Sequence, residues 1–440
     1  MKAASTAGPG ASSADVVVIG GGIVGCASAY HLARRGVRVL LLDKGRIGHE
    51  QSSRNMGAVR QQARAPVETP LMIECVRLWE GLSRELDADI EWVQGGNLGL
   101  AATPEVLERF ERAERLGRAL GLDCRLLSAD EVKAAIPRMA SSWRGGLYTP
   151  TDGHASAPKT TRAFADAARR HGAVIEEYRA VEGVELAAGR VATVLTDRGP
   201  VRTGQVVCAA GAHSARLVRT IGLDLPIRLV RSTVAETGPL PAITRAHVWG
   251  DGFVIRQVPS GRVQLNFHSS RAGEYDLTLD ALRHLRLFLP VFLRNRTLLR
   301  VRVGWPLLED LGRRLPWSLA RRRPFAHTVD VEPPSNSDTV ERCRQTFLRH
   351  FPSLGDVKVE RTWAGVIDCT PDLLPAFGPV AARPGFFVAT GFSGHGFAMA
   401  PLVGRLVGEW LVEGKPSFDL TPLRFARFVE GDLRIPENLI

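Results

Sequence analysis

The clearest pattern of hydrophobic positions lies near the start of the chain, where the apolar run DVVVI covers residues 15–19. A glycine-rich turn, GGGIVG, follows this run, and apolar residues then recur at helical spacing from Ile23 to Arg35. Gly36 ends the predicted helix, and VRVLLLD at 37–43 predicts a second buried strand that closes on an acidic residue. The pattern therefore predicts a strand–turn–helix–strand unit of about thirty residues.

Two later segments repeat the combination of a strand and a glycine-rich turn. Residues 173–217 predict a small antiparallel ribbon, followed by a strand that enters a glycine turn. Residues 385–414 predict a strand, a glycine turn and a helix near the other end of the chain. Three such units, far apart in sequence, indicate one nucleotide-binding domain assembled from separate segments.

The chain between these units predicts a second domain. It contains the alternating segments FVIRQV and RVQLNFH, which favour a half-buried antiparallel sheet. A length of 440 residues is also long for one hydrophobic core. The expected fold class is therefore α/β, or α+β over the whole chain, with a Rossmann-type nucleotide domain and an interleaved antiparallel-sheet domain. The expected boundaries are a flexible arm at 1–14, the nucleotide domain at 15–88, 147–222 and 362–440, and the second domain at 89–146 and 223–361.

The net charge of the chain bears on whether it binds nucleic acid or an anionic membrane. The net charge is +11, but the arginines that dominate the basic residues are spread along the chain and are not clustered with aromatic residues. This distribution disfavours nucleic-acid binding and leaves a basic surface near an anionic membrane as the stronger alternative. Two apolar-basic stretches, at 279–300 and 308–324, are interpreted as helices packed on the sheet, with a membrane-apposed module as the alternative.

Cysteine usage and hydropathy indicate a cytoplasmic protein. The six cysteines are scattered without a CxxC pair, which favours reduced thiols over a disulfide framework or a metal site. The sequence contains no run of about 18 apolar residues, so it predicts no membrane span. The first 14 residues are small and polar and lack the apolar run of a secretion signal.

The first glycine turn has the spacing G-x-G-x-x-G at Gly20, Gly22 and Gly25. The first glycine permits a tight turn, the second lets the backbone approach a pyrophosphate, and the third lets the helix pack closely on the strand. The helix N-terminus would offer N–H groups to the phosphates, and Asp43 would bind the ribose hydroxyls. The alternative is a glycine-rich turn in an unrelated α/β domain. Because the motif is near the start of a long chain and recruits later segments, FAD is favoured over NAD.

Several motifs together resemble the D-amino-acid-oxidase/glycine-oxidase superfamily of FAD enzymes over nearly the whole chain. The matching segments are GGGIVG, SSRNMG, VVCAAGAHSARL and above all TGFSGHGFAMAP at 390–401. Within the superfamily, the segments at 44–54 and 414–428 resemble bacterial L-amino acid deaminases, and sarcosine-oxidase β-like dehydrogenases and D-amino acid dehydrogenases are the next relatives. The resemblance implies a resident FAD and makes the second domain a substrate domain.

The resemblance and the glycine motif together give a set of expected FAD contacts. Ser52 or Ser53 could instead simply cap a helix, and His395 could be a core residue without a role in proton transfer. The turn 394–396 would present N–H groups to the edge of the reduced flavin. The expected cofactor-binding residues are Gly20, Gly22, Ile23, Val24, Gly25, Asp43, Lys44, Ser52, Ser53, Arg54, Asn55, Gly57, Val181, Gly211, Gly391, Gly394, His395, Gly396 and Phe397.

Substrate residues are expected mainly by resemblance. The stretch GFVIRQVPSGRVQL at 252–265 resembles the strand on which L-amino acid deaminases carry their carboxylate-binding arginine, and Arg256 matches that arginine. A surface arginine on an edge strand is the alternative. Arg60 and Gln61 are further pocket candidates, and His268 lies where related amine oxidases have an active-site histidine.

Two departures from the relatives modify the expected chemistry. Gln264 stands where monomeric sarcosine oxidases have a lysine that assists the reaction with oxygen, which favours a dehydrogenase with another acceptor. Those enzymes also attach FAD through a cysteine at a place nearer Gly365, whereas Cys369 is offset and interpreted as a buried thiol. Non-covalent FAD is therefore expected.

The expected function is FAD-dependent oxidation of an amino acid to a 2-oxo acid, with hydride transfer to flavin N5. The alternatives are oxidation of a secondary amine such as sarcosine, a proline derivative, a D-amino acid or an opine, or an electron-transfer subunit without a substrate pocket. The expected partners are the small substrate and a quinone or oxygen, with partner subunits as an option. The expected location is the cytoplasm, with peripheral contact at the inner membrane as the alternative.

Overall fold

The structure is a computed structural model. It describes residues 11–250, 252–268, 273–278, 283–296, 299–304, 307–308, 311–312, 329 and 332–434, with backbone alone for 267, 268, 295 and 299. Most of the second apolar-basic stretch, 308–324, and the first ten residues of the predicted arm therefore lie outside the described residues. Residues 11–14 are hydrogen-bonded to the rest of the protein. Ser13 forms a β-bridge with Arg202, and the carbonyl oxygen of Ala11 accepts a hydrogen bond from Arg179.

The described elements are numbered in chain order. The strands are β1 Val16–Ile19, β2 Val39–Leu42, β3 Ala58–Val59, β4 Asn97–Ala101, β5 Arg125–Ser128, β6 Gly145–Thr149, β7 Gly153–His154, β8 Val174–Glu176, β9 Val181–Ala187, β10 Arg190–Thr196, β11 Val201–Arg202, β12 Gln205–Cys208, β13 Arg228–Pro239, β14 His247–Gly250, β15 Gly252–Gln257, β16 Arg262–His268, β17 Gly273–Asp276, β18 Leu299–Arg302, β19 Val359–Cys369, β20 Ala376–Pro379 and β21 Phe386–Thr390. The helices are α1 Ile23–Ala33, α2 Gln51–Arg54, α3 Thr69–Glu85, α4 Pro104–Ala119, α5 Ala129–Ala135, α6 Ala157–Arg170, α7 Ser214–Arg219, α8 Leu285–Asn295, α9 Ser337–His350, α10 Gly396–Gly408 and α11 Arg427–Glu430.

A six-stranded sheet joins the beginning, middle and end of the chain, with the strand order β20-β21-β12-β1-β2-β8. All its pairs are parallel except β20–β21. The strand β1 is buried at every position because α1, α3, α6 and α10 cover one face and the small sheet β9–β11 covers the other. The predicted Rossmann-type domain built from distant segments is confirmed as a fold class.

The second sheet is larger and mostly antiparallel. Its strands follow the order β18-β17-β13-β16-β15-β14-β4-β6-β5, and β19 pairs with β13. Strands β6 and β19 belong to this sheet, so the boundaries expected at 147 and 362 each fall within one of its strands. Alternation of apolar and polar positions predicts a strand here, but it does not indicate which sheet the strand joins.

The helices α1 and α10 cross at a very short distance. At Gly404 in α10, an added Cβ would lie 2.7 Å from the carbonyl carbon of Ala27 in α1. The contact fixes the two helices side by side, and both begin at the same edge of the parallel sheet, after β1 and β21. Two helix N-termini, which attract anions, therefore converge at one place.

The described part of the first apolar-basic stretch contains α8. His284, just before α8, lies 2.8 Å from the Asp224 carboxylate, and the Arg228 guanidinium lies 4.6 Å from the centre of the Phe288 ring. These contacts pack one side of α8 on the protein, as the helix interpretation predicts. Among the described residues, no helix has both the length and the apolar character needed to cross a membrane.

Candidate functional site

Two backbone contacts shape the turn that follows β1. Gly20 has a φ of +108°, and an added Cβ would lie 2.4 Å from the carbonyl oxygen of Ala209. At Gly25, an added Cβ would lie 1.9 Å from the carbonyl oxygen of Gly20. Only glycine fits at these positions, so the spacing seen in the sequence corresponds to a close packing of strand, turn and helix.

Two side chains hold the turn from outside. The Asp43 carboxylate accepts hydrogen bonds from the backbone N–H groups of Gly21 at 2.6 Å and Gly45 at 2.7 Å. Burial raises the pKa of this carboxyl group, and the two hydrogen bonds oppose the rise. The Ser52 hydroxyl accepts a hydrogen bond from the N–H of Ile23 at 2.9 Å, so it caps α1 from a separate segment.

A cleft of about 320 Å³ opens at the carboxyl ends of the parallel strands, the usual ligand site in such sheets. Both helix N-termini described above contribute to it. The predicted residues that line the cleft are Gly20, Gly22, Ile23, Val24, Asp43, Lys44, Ser52, Arg54, Asn55, Val181, Gly211, Gly394, Gly396 and Phe397. The predicted residues that are not among its lining residues are Gly25, Ser53, Gly57, Gly391 and His395.

The turn before α10 is held in an unusual backbone conformation. Gly391, Ser393 and Gly394 all have positive φ angles, of +69°, +51° and +91°. The N–H of Gly391 donates to the Asp368 carboxylate at 2.9 Å, which fixes the start of the turn. Such strain persists where the surroundings hold it in place, often at functional sites. Here it places the first residues of α10 at the cleft.

His395 lies beside the cleft and pairs with a buried carboxylate. Its Nδ1 is 3.1 Å from Oε1 of Glu68, whose side chain is 2 % exposed. Burial and the charge of Arg64 lower the pKa of His395, against the influence of Glu68. Burial acts to raise the pKa of Glu68, but the charge and hydrogen bond of His395 and the charge of Arg64 outweigh it and lower the pKa. His395 therefore has a buried carboxylate as its partner at the side of the cleft.

Sequence reasoning missed a network of polar side chains around the cleft. Gln51 donates to the Asp368 carboxylate at 2.9 Å, and Glu50 contacts Lys44 at 2.5 Å and His213 at 3.1 Å. Burial acts to raise the pKa of Glu50, but His213 and Lys44 lower it to about 2. Glu50 and Gln51 directly precede the serine motif, which was a usable signal, whereas nothing local marks Asp368.

Ser53 and Gly57 have other roles than lining the cleft. The Ser53 hydroxyl donates to the carbonyl oxygen of His49 at 2.8 Å, within its own helix turn. Gly57 has a φ of +70°, and an added Cβ would lie 1.9 Å from the carbonyl oxygen of Ala155 and 2.4 Å from Nη1 of Arg256. Gly57 therefore gives Arg256 the space to reach this segment.

Arg256 lies on β15 of the large sheet and is not itself among the residues that line the cleft. It is 2 % exposed, on a strand paired on both sides, which excludes the edge-strand alternative. Its Nε donates to Nδ1 of His154 at 3.0 Å and its Nη1 to the carbonyl oxygen of Met56, a cleft residue, at 2.6 Å. Its Nη2 is buried and has no hydrogen-bond partner among the described residues. Burial lowers the pKa of Arg256 to about 10, so it stays charged at neutral pH.

The remaining substrate candidates are Gln61, Arg60 and His268, and their surroundings differ. Gln61 is 3 % exposed and its amide donates to Asp152 at 3.0 Å, so it serves an internal contact. Arg60 is partly buried and lies 5.8 Å from the centre of the Trp249 ring. Burial and the charge of Arg64 lower the pKa of Arg60 to about 9. His268 ends β16, and its side chain lies outside what the structure describes.

Comparison with known proteins agrees with this architecture. Residues 15–410 match the family described as FAD dependent oxidoreductase, DAO. Mitochondrial sarcosine dehydrogenase of Mus musculus is 26 % identical over 95 % of this chain, which spans only 42 % of that protein. Glycine oxidase of Geobacillus kaustophilus is 28 % identical over 94 % of this chain and 97 % of its own length. The structure of L-amino acid deaminase from Proteus myxofaciens in complex with anthranilate superposes with a TM-score of 0.90 at 25 % identity, covering 97 % of this chain and 96 % of that one.

The chain therefore belongs to the DAO family of FAD dependent oxidoreductases. The resemblance seen in the sequence motifs is confirmed at the level of the family, and so is FAD as the family's cofactor. The cleft fits this cofactor, because it combines a glycine turn without Cβ atoms, two helix N-termini and the half-buried carboxylate of Asp43 directly after β2.

The contact between Gly25 and Gly20 predicts the result of a single substitution. Gly25→Ala should displace α1 from β1, because the new methyl group would overlap the Gly20 carbonyl oxygen, at a cost of about 1–3 kcal/mol. We expect FAD affinity, measured by fluorescence titration of the apoprotein, to fall at least about tenfold. Gly81→Ala, at an open position inside α3, is the matched control and should retain FAD. Equal FAD affinity in both variants would contradict the assigned role of Gly25.

The buried imidazole of His154 predicts a dependence of stability on pH. Burial and the charge of Arg256 lower its pKa to about 3, so the unfolded chain takes up this proton first as the pH falls below about 6.5. His154→Asn keeps an acceptor for Arg256 and removes the titration. Between pH 7 and pH 5, the free energy of unfolding should therefore fall about 2 kcal/mol less in the variant than in the wild type, by urea titration. Parallel curves for the two proteins would exclude this coupling.

Proposed function

We propose that this protein uses FAD to oxidise the carbon–nitrogen bond of an amino acid or a closely related amine. Arg256 is the single observation that carries the proposal. Its guanidinium is buried, remains charged, and has no carboxylate within ion-pair distance among the described side chains. A buried charge without a counter-ion is costly, and a substrate carboxylate is a natural partner for a planar guanidinium.

The residues around the cleft would hold the cofactor. The turn at Gly20 and Gly22 and the N-terminus of α1 would hold the pyrophosphate, and Asp43 the ribose. The N-terminus of α10 at Gly396 would stabilise negative charge on the far part of the cofactor. When bound, FAD supplies a two-electron acceptor, at its N5 atom, for the hydride that leaves the carbon beside the substrate nitrogen. Loss of one proton from the substrate nitrogen would complete the imine, which water would hydrolyse to a 2-oxo acid and ammonia.

Non-covalent attachment of FAD is the form that we propose. Gly365 lines the cleft and offers no side chain for attachment, and an added Cβ there would lie 3.2 Å from Cβ of Arg54. Burial raises the pKa of Cys369 to about 12, so its thiol remains protonated and unreactive at neutral pH.

Secondary amines are the second class of substrate that we consider. The similarity to sarcosine dehydrogenase supports an N-methyl amino acid, oxidised by this chain alone or with partner subunits. Gln264 is neutral, whereas the monomeric sarcosine oxidases that the sequence resembles have a lysine at this place. This difference favours a quinone over oxygen as the electron acceptor. An electron-transfer subunit without a substrate pocket is disfavoured, because it would bind no carboxylate to balance the buried charge of Arg256.

We also propose that the protein contacts the cytoplasmic surface of an anionic membrane. Leu285, Leu289 and Leu293 recur every four residues on α8 and are 53 %, 43 % and 52 % exposed. Arg286 and Arg294 on the same helix are exposed as well. A helix with exposed leucines beside arginines is suited to the interface of an anionic bilayer, where a quinone would be accessible.

Replacement of Arg256 tests the proposed activity. Arg256→Met should retain FAD and lower kcat/KM for the amino acid by about 100-fold or more, because it removes a buried charged contact with the carboxylate. The measurement is anaerobic bleaching of the flavin absorbance with a panel of D-, L- and N-methyl amino acids. Arg262→Met, on the next strand, breaks an ion pair with Glu360 at 2.5 Å that is partly exposed, and should change kcat/KM less than about threefold. Unchanged turnover in Arg256→Met would remove this residue from substrate binding.

Substitutions on α8 test the membrane proposal. The triple variant Leu285→Asp, Leu289→Asp, Leu293→Asp should lose binding to phosphatidylglycerol vesicles in a sedimentation assay, because it removes the apolar contact and adds negative charge. The matched control replaces three exposed apolar residues elsewhere, Leu116, Val412 and Val429, with Asp. Wild type that stays in solution with these vesicles at low salt would rule out the proposed surface.

A further inference from the structure

A row of four polar side chains crosses the large sheet beside the cleft. Arg361 of β19, Glu236 of β13, Gln264 of β16 and Arg256 of β15 are successive register partners across antiparallel strands. Directly opposite residues of antiparallel strands share a face of the sheet. The neighbouring pair on this face contains Asn266, which lines the cleft, so the row lies two residues, or about 7 Å, from the cleft wall.

Hydrogen bonds connect the first three members of this row. Glu236 is 4 % exposed, and its Oε1 accepts from Nη1 of Arg361 at 3.3 Å. Its Oε2 accepts from Nε2 of Gln264 at 3.0 Å. Since a carboxylate only accepts hydrogen bonds, this contact fixes the orientation of the Gln264 amide, with Nε2 toward Glu236 and Oε1 left to serve as an acceptor elsewhere.

The row is interrupted between Gln264 and Arg256. Oε1 of Gln264 and Nη2 of Arg256 are both buried, and neither has a hydrogen-bond partner among the described residues. The Cβ atoms of such opposite residues are about 4.5–5.5 Å apart. Nε of Arg256 donates to His154 and Nη1 donates to the carbonyl oxygen of Met56, and these two hydrogen bonds hold the guanidinium in place. A buried donor and a buried acceptor that both lack partners are costly, so their retention side by side points to a ligand that satisfies both.

We propose that Gln264 accepts a hydrogen bond from the substrate amine while Arg256 binds the substrate carboxylate. An α-amino acid carries both groups on one carbon, so it can satisfy the free donor and the free acceptor together. The charges of Arg361, Glu236 and Arg256 sum to +1, which complements the carboxylate. The inference rests on the proposed function and deepens it, because it assigns the amine a specific partner and requires a substrate nitrogen with at least one N–H. Primary and secondary amines meet this requirement, and quaternary amines do not.

Paired ligands with and without the amine give the direct test. The variant Gln264→Met keeps the length of the side chain and removes the acceptor, and Gln264→Leu is a second variant in case the first misfolds. Gln205→Met is the matched control, because Oε1 of Gln205 is also buried without a partner among the described residues, but Gln205 lies on β12 in the other sheet. The ligand pairs are L-leucine with 4-methylpentanoate, L-proline with cyclopentanecarboxylate, and sarcosine with methoxyacetate. Reduction of the flavin measures kcat/KM for the amine that reacts fastest, and perturbation of the flavin spectrum measures Kd for its partner acid.

The expected result is selective for the amine. Gln264→Met should lower kcat/KM for the amine about 10- to 100-fold, the range for a hydrogen bond to a charged group. It should change Kd for the amine-free acid less than about threefold and leave FAD content unchanged, and Gln205→Met should match the wild type in all three measurements.

Other outcomes overturn the inference in distinguishable ways. Equal losses for the amine and for the acid would mean that Gln264 acts only through Arg256, and no loss for either would mean that water or a direct contact with Arg256 satisfies its oxygen. Wild-type flavin that no D-, L- or N-methyl amino acid in the panel reduces would instead refute the proposed function itself.

Discussion

Contacts between backbones, at distances that exclude any side chain, determine how this molecule is assembled. Gly25 rests on the carbonyl oxygen of Gly20, and Gly404 rests on the backbone of Ala27. The first contact ties α1 to β1, and the second ties α10 to α1. Because of both, two helices from opposite ends of the chain begin at the same edge of one parallel sheet, where their N–H groups and positive dipole ends can act on one anionic ligand.

The polar network of the cleft depends on the same assembly. Glu50 and Gln51 from the segment after β2 bond to His213 and Asp368, which come from the middle and the end of the chain. Asp368 in turn fixes the N–H of Gly391, where the strained turn before α10 begins. The cleft is therefore held by contacts between distant segments, and their mutual hydrogen bonds keep it in one shape before any ligand binds.

The large sheet contributes a different constraint, an imbalance of buried charge. Arg256 is fixed by neutral His154 and by a backbone carbonyl, and neither neutralises it. Burial of a charge without a counter-ion lowers the free energy of unfolding. The cost is concentrated next to the cleft of a DAO-family protein. A rigid strand, paired on both sides, is also the element that can hold such a group with little movement.

Local patterns in the sequence were sufficient for the nucleotide-binding half. The apolar run of β1, the spacing of Gly20, Gly22 and Gly25 and the acid at Asp43 predicted the strand, the turn and the end of β2, because these features depend on neighbours within about thirty residues. The tertiary structure alone decided the rest. It placed the predicted boundaries at 147 and 362 inside strands, and it set Gly57 where Arg256 needs space. It also set Gln264 opposite Arg256, with neither Oε1 of Gln264 nor Nη2 of Arg256 hydrogen-bonded to any residue that the structure describes. Register and burial arise from the pairing of distant strands, and a side chain's own position in the sequence does not encode which partner it will face.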